Sequence, residues 1–329
     1  MTGDIIARQW TEERLAAIER RITNIYTEAQ GAIVKSWNAY MLRVARKLAA
    51  LQKQYDDAKK AGDTEKAKEI GEKLGKAKAS ETYQNKRYKQ MVNNVTAQLS
   101  TTNETAVAYL NEKMPSIYAM NYNAAQVEAE ELGFDFTLVD EATVKRLIMD
   151  GEIKLPPKKI NVPLDMAWNK KQLNSAVLQG ILQGEPMKKI AERILPIVGN
   201  NKNAAIRNAR TMVTGAENRG RFDRSTELET LGAVIEKRWI ATPDNRTRDS
   251  HMALDGETQR KEKRFSNGLM FPGDPSGRPE EVYNCRCSMS TQIVGFVKDD
   301  GSVVTWGSTP TTTALHERQV ANERARRAK

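Results

Sequence analysis

Apolar residues recur three and four positions apart through the first third of the chain. Leu15, Ile18, Ile22, Ile25, Ala29, Ile33, Trp37, Met41, Val44, Leu48, Leu51 and Tyr55 form one stripe, while Arg20, Arg43, Lys47 and Lys53 fall off it. A period of this kind lines one side of an α-helix and predicts a single long helix. The stripe breaks at Ala61-Gly62-Asp63-Thr64, where Gly62 ends one helix and Asp63 or Thr64 caps the next. It resumes through Ile70, Leu74, Ala77, Tyr88, Met91, Val95, Leu99, Ala106 and Leu110. Two such arms predict a long antiparallel helical hairpin over residues 1–114, with a loosely packed tip near the glycines at 71 and 75. All eleven prolines lie from Pro115 onward, which places a boundary there.

Residues 115–168 read as a mixed connector or small subdomain. Phe134–Val139 has the composition of a short strand, Glu141–Met149 that of a short helix, and Leu155-Pro156-Pro157 with Pro163 interrupts regular structure. Helical spacing returns over 169–232 through Leu173, Val177, Ile190, Ile194 and the run from Ala205 to Phe222, punctuated at Gly184-Glu185-Pro186 and from Pro196 to Asn201. Arg207, Arg210, Arg219, Arg221 and Arg224 read as exposed charges of this helix, with packing or phosphate binding as the alternative.

Residues 233–308 form a different kind of segment. Ala233–Ala241, rich in β-branched and aromatic residues, reads as a strand ending at Trp239. Thr242 then suits a helix N-cap and Pro243 its first turn, so a short helix is expected to end near Gly256. Asp244, Arg248, His251 and Asp255 would then share one face. A loop from Phe271 to Pro279 leads to Asn284-Cys285-Arg286-Cys287, where an extended chain would set both cysteines on one side. Asp299-Asp300-Gly301 marks a hairpin. The fold class predicted is mainly α with a C-terminal α+β module, preceded by a long N-terminal antiparallel helical hairpin.

Composition narrows the setting. A 39% hydrophobic share with 29% charged residues fits a globular or helical protein and excludes collagenous and disulfide-rich classes. The formal charge of +10 makes a polyanion a candidate partner, against a simply well-solvated helical surface. The two cysteines stand one residue apart, which disfavours a disulfide between them and points to a reducing compartment. No signal-peptide core and no apolar run of about 18 residues is present, so neither standard secretion nor a membrane span is expected.

Trp239, the run Thr-Pro-Asp-x-Arg-x-Arg-x-x-His holding Asp244, Arg246, Arg248 and His251, the Asp255-Gly256 pair, Phe271, and the tetrad Asn284, Cys285, Arg286 and Cys287 occur in an order and spacing that resemble the phage Mu F-like head morphogenesis domain. The resemblance implies a tailed-phage or prophage minor capsid protein, incorporated in few copies with portal protein and major capsid or scaffold protein during procapsid assembly. In some members it implies retention in the virion head and an effect on packaging or ejection of double-stranded DNA. Host cytoplasm would be the site of assembly. Members are sometimes fused to toxin or transferase domains, whereas here a Ser/Thr stretch and a short tail follow Trp306.

The same residues leave three chemical readings open. His251, Cys285 and Cys287, with Asp244 or Asp255 as a further ligand, are donor types that zinc accepts, although C-x-C differs from the usual knuckle spacing. A structural cluster is the second, in which Asp244, Arg246, Arg248 and His251 hold the proline-rich loop and the cysteines pack as small apolar groups, with no cofactor. A Cys/His nucleophile is the third. A zinc deaminase is excluded, since His251 lacks the H-x-E context and the cysteines lack C-x-x-C spacing. No catalytic residue is assigned. The tail over 309–329 carries Arg318, Arg324, Arg326, Arg327 and Lys329 and reads as disordered or marginally helical when free, either a solubilising terminus or partner-docking peptide or, alternatively, a phosphate-contacting arm.

Overall fold

A computed structural model describes residues 3–80, 86–156, 162–183, 185, 187–307 and 312–328. The first apolar stripe becomes α1 (Gly3–Lys60), followed by α2 (Thr64–Ser80) and α3 (Lys86–Asn123). Short helices α4 (Gln126–Glu131) and α5 (Glu141–Met149) precede α6 (Val162–Leu182) and α7 (Met187–Thr230). The C-terminal part runs β1 (Ala233–Ile240), α8 (Asp249–Ala253), β2 (Thr258–Arg260), α9 (Pro279–Val282), β3 (Ser288–Val297), β4 (Val303–Thr305) and α10 (Ala314–Arg327). This is the mainly helical fold with a C-terminal α+β module that the pattern predicts. No helix among the described residues is long and apolar enough to cross a membrane.

Two compact units divide the chain. One comprises Met1–Arg20, Ala108–Lys159 and Ile206–Lys329, and the other Arg21–Val107 and Ile160–Ala205. In the second, α1 turns into α2 at Gly62, whose φ of +73° suits a residue without a Cβ. Asp63 Oδ1 then accepts from the Lys66 amide at 3.0 Å, capping α2. Ala58, Ala67 and Ile70 pack with Tyr55, so this side of the tip is filled where the glycines predict looseness. Farther along, Tyr26 donates to Asn103 at 2.5 Å, Asn103 to Asn201 at 3.0 Å and Asn201 to Asn169 at 2.9 Å. This buried chain of amides joins α1, α3, α7 and α6, and each member satisfies the next.

The first unit holds a four-stranded antiparallel sheet in the order β2-β1-β3-β4. Alternate residues of β1 face the core, and its register sets Trp239 opposite Met289 and Ile240 opposite Ser288. Gly301 turns β3 into β4, as the Asp-Asp-Gly signal predicts. Asp140 caps α5 by accepting from the Thr143 amide.

Several boundaries differ from expectation. Pro115 lies inside α3 and Pro196 inside α7. A proline removes one helical hydrogen bond, and the burial of Met114, Ile117, Ile194, Ile197 and Val198 around the two sites outweighs that loss. Phe134–Val139 is not a strand, since the Asn123 side chain satisfies both the amide and the carbonyl of Val139 in place of a ladder. The expected breaks at Pro157, Gly184 and Pro186 lie outside the described residues. The tail is a formed helix: Thr313 caps α10 by accepting from the His316 amide, and Val320 is buried in the core of the module.

Candidate functional site

The C-terminal half of α7 presents a polar stripe at three- and four-residue spacing, and the chain from 284 to 291 is laid along it. Thr211 accepts from the Asn284 amide at 2.8 Å, Thr214 donates to the Cys285 carbonyl at 2.7 Å, and Asn218 donates to the Cys287 carbonyl while accepting from the Met289 amide. Glu217 accepts from Ser288 at 2.8 Å, Arg221 donates to Ser288 and the Met289 carbonyl, and Arg224 donates to Thr291. Asp4, on α1, closes the lower end: its carboxylate lies 3.0 Å from Arg224 and accepts from the Thr291 amide at 2.7 Å. Burial alone would raise the Asp4 pKa, but Arg224 and Arg221 bring it below the ordinary value. The exposed-charge reading of the arginines therefore fails for Arg221 and Arg224, which are 0% and 1% exposed.

Asn284 enters the left-handed region at φ 60°, a conformation that asparagine tolerates. Beyond it Cys285 and Cys287 both point to His251 on α8. Cys285 Sγ lies 3.5 Å and Cys287 Sγ 3.7 Å from His251 Nδ1. The other ring nitrogen, Nε2, lies 2.8 Å from Glu281 of α9. The Cys287 amide donates to Cys285 Sγ at 3.4 Å. Trp239 and His251 meet edge to face with ring centroids 5.2 Å apart, as do Trp239 and Phe265. Phe271, Met252, Val282 and Met289 complete the buried cluster.

These contacts polarise the thiols. Hydrogen bonding from Cys287, together with the imidazole, holds Cys285 well below the ordinary thiol range, and donation to Cys285 with burial pushes Cys287 up. Burial alone would depress His251, yet Cys285 and Glu281 raise it. A nucleophile must be reached by a substrate, and both cysteines are only 2% exposed. His251, Cys285 and Cys287 are the donors here that could hold a metal.

The remaining motif residues organise the walls. The helix expected from Thr242 starts only at Asp249, because Asp244 accepts from the Arg246 and Thr247 amides and makes 243–248 a turn. Asp244, Arg248, His251 and Asp255 consequently do not share one face. Asp244 instead pairs through both oxygens with Arg286, at 2.7 and 2.8 Å. Burial would raise its pKa, but the Arg286 guanidinium carries it well below the usual carboxylate range. Arg246 is exposed, 3.5 Å from Asp244, and Arg248 donates to the Tyr283 carbonyl. Asp255 accepts from the Ala241 amide at 2.8 Å and meets His316 at 3.2 Å, while Gly256 donates to the Trp239 carbonyl at φ +88°. The Phe271 loop touches α7 backbone to backbone: a Cβ on Gly273 would stand 2.9 Å from the Gly215 nitrogen.

The tail arginines are drawn into this unit. Arg324 donates to the carbonyls of Met252 and Asp255, Arg327 pairs with Asp249 and Glu323, and Arg326 pairs with Glu323. Arg318 is exposed, and Lys329 lies outside the described residues. Glu281, Asn218, Asp4 and the buried Lys237 carry as much of the site as the motif itself. The polar spacing Thr211, Thr214, Asn218 and Arg221 on a predicted helix is the signal that could have found part of this set.

Residues 171–290 match the family described as Phage Mu protein F like protein. The chain is 21% identical over 292 residues to the minor head protein GP7 of Bacillus phage SPP1, covering 85% of this chain and 87% of that protein. It is 29% identical over 122 residues to the NAD(+)--arginine ADP-ribosyltransferase EFV of Enterococcus faecalis, covering 36% of this chain and 25% of that protein. No solved structure matches.

Proposed function

We propose that this chain, whose residues 171–290 match the Phage Mu protein F like family, is a minor head protein of a tailed phage or prophage. The observation that carries the reading is the similarity to a minor head protein along 85% of this chain and 87% of that relative, because it extends well beyond the family segment. The site supports a docking role over turnover. Its histidine and thiols are buried, and Arg286, Arg324 and Arg327 are committed to carboxylates and carbonyls of the same unit. The transferase relative is matched over a quarter of its length, so its activity is not carried over.

The partners proposed are the portal protein and the major capsid or scaffold protein, with the protein located in the procapsid and the virion head. The +10 charge favours a position facing packaged DNA, with effects on packaging or ejection. Mass spectrometry of purified virions and procapsids tests the reading. The protein is expected in both, and its absence from both removes the proposal. Phosphate-backbone DNA binding is the second reading, favoured by the same charge. It requires an affinity for duplex DNA that falls steeply with salt, and binding indifferent to salt rejects it.

A further inference from the structure

We propose that His251 Nδ1, Cys285 Sγ and Cys287 Sγ bind one thiophilic divalent cation of the zinc class, which staples the 284–287 turn to α8. Distances make the first argument. Zinc bonds to sulfur at about 2.3 Å and to imidazole nitrogen at about 2.0–2.1 Å, so a tetrahedral angle sets the two donors about 3.6 Å apart. The two observed separations are 3.5 and 3.7 Å, and all three donor atoms lie within 4.8 Å of one another.

The surroundings make the second argument. Glu281 faces His251 Nε2 at 2.8 Å, so an Nε2–H donated to that carboxylate leaves the Nδ1 lone pair directed between the sulfurs. A carboxylate behind a ligating imidazole is the arrangement that fixes the ring and raises its basicity. Asn267 in turn donates to Glu281 at 3.4 Å. The Cys287 amide directed at Cys285 Sγ supports a thiolate there.

Supply of the donors makes the third. Asn284 in the left-handed region turns the chain, and both sulfurs then lie 3.5 and 3.7 Å from His251 Nδ1, so C-x-C does what a longer knuckle does elsewhere. Among the described residues the group comprises these three donors, and the fourth position falls to water or a small anion. The ion's work is structural, since the cluster around it is closed to substrates.

The full chain purified under reducing conditions tests this. Elemental analysis is expected to find about one zinc per chain after incubation with Zn²⁺ and gel filtration. Replacement by Co²⁺ should produce the thiolate-to-cobalt charge-transfer band and the visible bands of a tetrahedral site. Cys285→Ser and His251→Ala should abolish both signals. Glu281→Gln, which keeps all three donors, should weaken affinity by about 10–100-fold, which separates a tuned site from loss of folding. The proposal is overturned if wild type with both thiols shown free by thiol titration gives no charge-transfer band. Cobalt bound without that band, at carboxylates elsewhere, overturns it equally.

Discussion

Asp4 and Arg224 stand 220 positions apart in the chain and 3.0 Å apart in the fold. The pair fastens the start of α1 to the end of α7, and the same carboxylate receives the Thr291 amide of β3. Removing one member of a buried ion pair leaves the other uncompensated, at a cost of about 3–5 kcal/mol. Asp4→Asn is therefore expected to destabilise the first unit by that order, read by urea unfolding. A loss below about 1 kcal/mol would mean that Arg224 finds other partners.

Asp244 should couple stability to acid. Its folded pKa lies below its unfolded one, so its contribution is present above the ordinary carboxylate pKa near 4 and is lost as pH falls toward the depressed value. The carboxylate is partly exposed, which limits the effect to about 1–2 kcal/mol. Asp244→Asn should lower the midpoint of unfolding at pH 7 and make the difference from wild type shrink at pH 2–3.

Lys237 gives a slope of the same sign in an alkaline window, because its folded pKa is also lowered. It is buried beside the Phe265 and Phe222 rings, its ammonium donates to the Met270 carbonyl at 2.8 Å, and burial brings its pKa down to about 8. Between pH 8 and about 10.5 the unfolded chain binds the proton more tightly than the folded one, so wild-type stability rises with pH through that window. Relative to Lys237→Met, the rise should amount to about 3 kcal/mol at most, at about 1.4 kcal/mol for each pH unit of that window. Parallel pH profiles for the two proteins would refute the assignment.

Gly215 is a contact point for two loops. A Cβ there would stand 2.2 Å from Pro156 Cδ, and the proline ring has little freedom to withdraw. Gly215→Ala is expected to cost about 1–3 kcal/mol by overpacking, although alanine is the better helix former. A stabilised variant in thermal unfolding would show that helix propensity outweighs the clash.

The tail helix should behave as part of the module. Val320 is buried in the same cluster as Trp239, so Val320→Ala should lower stability by about 2 kcal/mol. Arg318→Ala, at an exposed position, should leave unfolding unchanged. Equal denaturation curves for Val320→Ala and wild type would return the tail to an unattached arm.

Much of the fold was legible because it is local. The stripe from Leu15 to Tyr55 needs only helical geometry to be recognised, and the strand at Ala233–Ala241 needs only its β-branched and aromatic residues, while its alternate burial, with Lys237 inside, came from the fold. The closeness of Cys285 to Cys287, and their shared side, likewise follow from an extended backbone. Prolines misled, since their cost is a local few kcal/mol that buried neighbours on α3 and α7 override.

Sequence order by itself determined the helical hairpin, the strand that carries Trp239 and the inventory of donor groups, because each rests on spacing within one element. Tertiary structure alone decided that Arg221 and Arg224 are buried, that Asp244 turns the chain to meet Arg286, that Glu281 stands behind His251, and that the basic tail docks as a helix. Each of these depends on a partner from a distant segment whose charge or hydrogen bond compensates for lost water, and local periodicity carries no record of that partner.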